Sequence, residues 1–336
     1  MCSVSVRDLG SLPKAHLHVH LESTVRWPTL RQLGAANGVA VPDRPGSVFA
    51  GFRDFADHNS LVRGCLRRPE DFTRVALEFC QDEAAQGTRY AEVTFTAASH
   101  GERLGQPEMP LRAVLRGLAE GRAAYGIECQ VLLDHSRRQP MDRAWQTLRL
   151  ATRYAADGVI GIGLAGDESY PLRPFAQVCA AARDAGLHLV HHAGESRGPR
   201  SIREAITMGH TERLGHGIRV LDDDDLVAEV RRQAIPLEVC VSSNVGLGLV
   251  GSFPAHPLPR LRAAGLAITL STDIPAIVGT SLTEEYRRVR DTFGYADSVL
   301  AEFAHTAVTA SFAPAATKQW LHQQTDAWLA IPPTNC

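Results

Sequence analysis

Eight short runs of β-branched and apolar residues recur along this chain, separated by longer amphipathic stretches rich in Ala, Leu and Arg. That alternation dictates βα units: short apolar runs suit buried parallel strands, and the stretches between them carry a helical period. The runs are AHLHVHL (15–21), RYAEVTFT (89–96), ECQVLLDHS (128–136), VIGIGLAGDE (159–168), HLVHHAGE (188–195), ERLGHGI (212–218), PLEVCVSSN (236–244) and AITLSTDIP (267–275). Helix-like segments such as PEDFTRVALEFCQDEAAQG (69–87) and MPLRAVLRGLAEGRAAYG (109–126) each close on a glycine, as helix C-termini tend to. The pattern predicts a closed (β/α)8 TIM barrel, one domain over residues 1–336. A doubly wound open sheet would carry a Gly-rich phosphate loop after its first strand, and none is present.

Two regions exceed the repeating unit. The first connection, from Glu22 to the second run, contains PDRPGSVFAGFRDFADHNSL (42–61). Loops that follow barrel strands sit at the active-site end, so this insertion reads either as a lid or pocket wall or as a packing element. The Ala-rich tail after about residue 295, with Trp320 and Trp328, predicts terminal helices that cover the barrel.

Composition narrows the partners. With 35 Lys and Arg against 37 Asp and Glu, the chain has no basic field to attract a nucleic-acid backbone. Seven scattered cysteines, none in a C-x-x-C pair, argue against a disulfide framework and a thiolate zinc site, and fit a reducing cytoplasm. MCSVSVRDLG has no apolar signal core, and no apolar run approaches membrane-spanning length. The expected partner is a small molecule; the subunit count is not legible.

HLHVHL (16–21) places a histidine at every second position, so on a regular strand His16, His18 and His20 face one way. Successive pairs are roughly 6.6 Å apart along a strand, whereas a zinc–nitrogen bond spans only about 2.0 Å, so one ion takes at most two of the three. Further ligand-type residues stand at other strand ends: HHAGE (191–195), LGHG (214–217) and STDIP (271–275). A histidine pair, another histidine from across the barrel and an aspartate make a nitrogen-rich set suited to a divalent transition ion, zinc first, with an open position for water. His16, deeper in the strand, is expected to hydrogen-bond inside the barrel, and His191 to point away from His192. Glu195, three residues after His192, suits proton transfer between water and a substrate nitrogen. His216, between Gly215 and Gly217, has room to orient the attacking water.

The motifs LPKAHLHVHLE (12–22), LAGDE (164–168), HAGE (192–195), TERLGHG (211–217), EVCVSSN (238–244), STDIP (271–275) and SLTEEY (281–286) together resemble the adenosine deaminase family of the amidohydrolase superfamily over roughly residues 12–290. The resemblance implies one zinc per chain, with His18, His20, His192 and Asp273 as ligands. It implies hydrolytic attack at the amino-bearing ring carbon, Glu195 protonating the adjacent ring nitrogen and His216 positioning or deprotonating the water, with ammonia released. Gly166 matches a backbone amide that contacts a purine, and Glu22 an acidic residue near the ribose. Two positions depart from the family pattern. Ile274 stands where a second aspartate usually reads the imidazole nitrogen, which favours a purine-like substrate lacking that contact, such as a 7-deazapurine. Ser23 replaces the usual Gly and narrows the pocket floor. Another aminated heterocycle such as a pterin is the alternative substrate, and a silent binding protein ranks last because every chemistry-bearing residue is present. The H-x-E and P-C-x-x-C signature of nucleic-acid deaminases is missing.

Overall fold

The computed structural model of the chain describes residues 7–43 and 52–332. Eight strands follow in order: β1 (Lys14–His20), β2 (Thr88–Phe95), β3 (Glu128–Ser136), β4 (Val159–Ala165), β5 (His188–Ala193), β6 (Arg213–His216), β7 (Leu237–Val239) and β8 (Ile268–Leu270). Each pairs in parallel with the next. Beyond β8 the chain returns to β1: Asp273 N–H donates to His18 O and His20 N–H to Asp273 O, both at 2.9 Å. The sheet is therefore a nearly closed barrel with helices between its strands, the expected (β/α)8 architecture.

Local chemistry explains the element ends. Helix Met109–Tyr125 stops at Gly126, whose φ of 67° is open to glycine without strain. Expected strand seven, 236–244, ends early because Ser242 to Asn244 turn into helix Val241–Gly246. Short Ser and Asn side chains compete with the strand ladder, and buried Glu285 accepts the free Ser242 N–H at 2.8 Å. Expected strand eight, 267–275, likewise leaves the ladder after Leu270, and helix Pro275–Val278 opens on a proline whose fixed φ suits a first turn.

The even spacing of HLHVHL misleads at one point. Between His16 and Val19 the register with β2 slips, three residues of β1 spanning two of β2. Such a bulge reverses the alternation of faces. Leu17 and His18 consequently line the same small interior cavity. His16 is not the barrel-interior residue expected: its Nδ1 lies 3.1 Å from Glu83 on helix Pro69–Ala85 and its Nε2 meets Thr272.

The first insertion folds into helices Trp27–Asn37, Phe52–Cys65 and Pro69–Ala85; residues 44–51 of PDRPGSVFAGFRDFADHNSL lie outside the described residues. At the opposite end of the barrel Ala307, Val308, Ala313 and Leu321 of the terminal segment pack on Ala15, Leu17 and Tyr90. Trp328 is buried there with its indole N–H on Asp8 O, whereas Trp320 is exposed. No described helix is long and apolar enough to cross a membrane.

Candidate metal centre and pocket

The C-terminal ends of the strands open into a cavity of about 400 Å³ whose walls include His20, Glu22, Gly166, His192, Glu195, His216 and Asp273. Ligand-type atoms of His18, His192, His216 and Asp273 lie within 4.8 Å of one another. His20 joins them: its Nε2 is 3.2 Å from His192 Nε2 and 3.3 Å from Asp273 Oδ1. Five of the predicted residues thus converge, although β1, β5, β6 and the segment after β8 are far apart in sequence. Asp273 and His216 both have positive φ, 60° and 64°. Strain of this kind in residues other than glycine persists where the surroundings enforce it, commonly at functional sites.

The donor set fits a zinc ion. His18 Nε2 is buried without a hydrogen-bond partner, a costly state in an interior that normally pairs its polar atoms. Three imidazoles and a carboxylate are also typical zinc ligands. His18 is set by a buried chain of charge. Its Nδ1 contacts Glu238 at 2.7 Å, Glu238 receives Arg213 Nε at 2.6 Å, and Arg213 reaches Glu92 at 2.5 Å. Burial alone would depress His18, but the Asp273 carboxylate 3.6 Å from Nε2 and the Nδ1 bond to Glu238 outweigh it and push the pKa up to about 10; a zinc ion on Nε2 would take the place of that second proton. Asp273 is anchored through Oδ2, which accepts from Ser243 Oγ at 2.5 Å, leaving Oδ1 toward the histidines.

His216 has a different environment. Leu258 N–H donates to His256 Nδ1 at 3.1 Å, so His256 must carry its proton on Nε2, which lies 3.1 Å from Asn244 Oδ1. The Asn244 amide nitrogen then donates to His216 Nδ1 at 3.3 Å. This directional chain, anchored on a backbone amide that can only donate, puts the His216 proton on Nε2, facing Glu195 Oε1 at 3.6 Å. Burial lowers the His216 pKa to about 4, so the ring is neutral near pH 7.

Glu195 is buried deeply enough to raise its pKa to about 8, helped by the charges of Asp273 and Glu168. Glu168 holds the turn that presents it: its carboxylate accepts the backbone N–H groups of Gly194, Glu195 and Ser196 at 2.7 to 2.9 Å. Gly166 takes φ 84° in the cavity wall, and a Cβ there would sit 2.9 Å from Ser136 Oγ.

The model of the family described as Adenosine deaminase matches residues 13–328. This chain belongs to the adenosine deaminase family. It is 32% identical to an adenine deaminase of Caulobacter vibrioides over 94% of each chain. It is 33% identical to an aminodeoxyfutalosine deaminase of Streptomyces coelicolor over 96% of this chain and 87% of the relative. The crystal structure of an adenine deaminase from Arthrobacter aurescens superposes with a TM-score of 0.88 at 28% identity, covering 95% of this chain and 99% of that one. The chain is a deaminase, a hydrolase by class.

As a member of the family, it places the expected residues unequally. Glu22 reaches the cavity, but its Oε1 is already taken by Thr96 N–H and His100 Nε2 at 3.2 and 3.1 Å. Burial opposes charge there, yet the bond to His100 and the nearby Arg63 charge hold the carboxylate at about 2. Ile274 and Ser23 are both buried and neither is in the cavity lining. His191 points away from His192, as expected, its Nε2 on Gly209 O at 2.9 Å. Glu168, Glu238, Ser243, Asn244 and His256 were not singled out from the sequence. The acidic end of LAGDE was the one legible signal for Glu168, whereas the others act through contacts that only the closed barrel creates. Asp134, a buried carboxylate lining the cavity with Oδ1 unpaired, was also missed.

Proposed function

We propose that this deaminase releases ammonia from an aminated purine-like substrate by zinc-dependent hydrolysis, with one zinc per chain held by His18, His20, His192 and Asp273. His216 is left out of the ligand set because its Nε2 carries a proton and has no lone pair to give. Bound zinc would supply positive charge that polarises water and brings its ionisation toward neutral pH.

The protein's own groups do the remainder. Glu195, whose ionisation burial opposes, donates its proton to the ring nitrogen beside the carbon under attack and so lets the ring accept the electron pair; its carboxylate then takes the proton of the added hydroxyl and passes it to the amino group, which leaves as ammonia. His216 Nε2–H donates a hydrogen bond to the attacking oxygen and fixes its approach; as a neutral donor it orients water and does not deprotonate it. Glu168 holds the turn bearing Glu195, and the Gly166 backbone offers close approach to a planar ring. Relatives named as adenine and aminodeoxyfutalosine deaminases support an aminated purine-like substrate. Ile274 has no face on the cavity through which to read the ring, so a 7-deazapurine preference gains no support from it. The free thiols of Cys65, Cys80, Cys129, Cys179 and Cys240 suit a reducing cytoplasm.

One observation carries the proposal: the half-buried Glu195 carboxyl stands beside a cluster of imidazoles and one carboxylate at the cavity, 3.6 Å from His216 Nε2. The test is ammonia release from adenine, adenosine and related amines by protein stripped of metal and then reloaded with zinc. Activity should vanish on stripping and return with about one equivalent of zinc. Turnover that survives complete metal removal would contradict the proposal.

A further inference from the structure

The far wall of the cavity has a character that deamination does not use. Helix Phe52–Cys65 of the first insertion contributes Asn59, Ser60 and Arg63 to the lining, and the loop after β3 contributes Arg138. The insertion is thus a pocket wall. Arg63 is half-buried, and among the described residues no carboxylate oxygen lies within 4.0 Å of its guanidinium and no hydrogen bond engages it. Of the acids whose charge it feels, Glu22 binds His100 and Thr96 N–H, whereas Asp134 lies 4.0 Å from His20 and keeps Oδ1 unpaired, with neither carboxylate within 4.0 Å of the guanidinium. Arg138 has the Tyr170 ring 5.9 Å away and the Asp167 charge nearby but, among the described residues, no hydrogen bond, whereas Arg143, also in the lining, is already paired with Glu102 and Gln139.

A half-buried arginine without a hydrogen-bond partner leaves donors that a ligand anion would satisfy. The planar guanidinium fork matches a carboxylate or phosphate through two parallel hydrogen bonds. A cavity of about 400 Å³ also has room for a substituent beyond the bare ring. We infer that Arg63, assisted by Arg138, forms a subsite for an anionic group, phosphate or carboxylate, carried on the part of the substrate remote from the amino-bearing ring. This rests on the deaminase reading and specifies its substrate class: an aminated purine-like compound with a negatively charged tail.

The test pairs binding with turnover on the zinc-loaded protein. Calorimetry compares inosine with inosine 5'-monophosphate and inosine 5'-carboxylate, which have no amino group to lose, and an ammonia assay compares adenine, adenosine and the corresponding anionic adenosines. At least one anionic compound should bind roughly 10- to 100-fold more tightly than its neutral parent, and which one does so distinguishes phosphate from carboxylate. Arg63→Gln should bring that ratio to within about threefold, and Arg63→Lys should restore part of it. Equal affinity for charged and neutral compounds overturns the subsite, as does a ratio that Arg63→Gln leaves unchanged. The latter is expected if Arg63 only balances Glu22 and Asp134. Absence of binding while adenine still yields ammonia also overturns it. Anion-selective binding without ammonia from any amine counts against the deaminase reading alone, and absence of both binding and turnover overturns both.

Discussion

Glu195 keeps its proton because burial and the negative charges of Asp273 and Glu168 all oppose its ionisation. Glu195→Gln preserves shape and removes the transferable proton, so kcat/KM should fall by at least about 100-fold while zinc content stays the same by metal analysis. Glu238 works one contact further out, on His18 Nδ1. Carboxylates in that position orient a ligating imidazole and raise its basicity, so Glu238→Gln should weaken zinc binding by about 10- to 100-fold, measured by competition with a chelator. The contrast between the two residues shows how far the site was legible. Glu195 could be found beside His192 in HHAGE, because spacing along one strand end relates them. Glu238 could not, since its link to His18 spans the barrel and exists only once β1 and β7 face each other. The same holds for His256 and Asn244, which set the His216 proton through a path that leaves the β6 segment altogether.

At the scale of elements, one buried arginine ties the strands beneath the pocket together. Arg213 of β6 bridges Glu92 of β2 and Glu238 of β7 and lies 4.0 Å from the Phe312 ring centroid, while Glu92 also accepts Tyr90 OH and Phe312 N–H. Removing one member of a buried charged set strands the others, so Arg213→Met, which leaves two buried carboxylates, should lower stability by about 3–5 kcal/mol, read as a shifted urea midpoint. The strand count and the Gly-terminated helices were visible in the sequence because hydrophobic period and helix stops are local signals. The bulge in β1 was not: an even histidine spacing implies an unbroken alternation, and the slip against β2 that turns His16 outward is a property of the pair. The early ends of β7 and β8 have a similar origin, since helices begin where Ser242 finds Glu285 and where Pro275 follows a strained Asp273.

Across the whole molecule, the barrel separates a functional rim from a stabilising floor. Near the floor Lys14 is fully buried with Nζ on the carbonyls of Leu9 and Leu12 at 2.6 and 2.7 Å, and burial, partly offset by Glu83, lowers its pKa to about 7. Between that value and the ordinary 10.5 the unfolded chain holds a proton on Lys14 that the folded chain has lost. Stability from this group therefore rises with pH through that window, by at most about 1.4 kcal/mol per unit, and is at its lowest below pH 7. Lys14→Met should flatten the slope relative to the native chain in denaturant titrations at pH 7, 8 and 9. At the rim, the contact of Asp273 with β1 that closes the barrel also brings the proposed ligands together, so fold and metal site stand on the same residues. The most direct measurement is anomalous diffraction at the zinc edge from crystals of the zinc-loaded chain. One ion should appear, with nitrogens of His18, His20 and His192 and an oxygen of Asp273 at roughly 2.0–2.2 Å, and with His216 outside bonding range. A cavity without zinc, or an ion bonded to His216 in place of His20, would contradict the account.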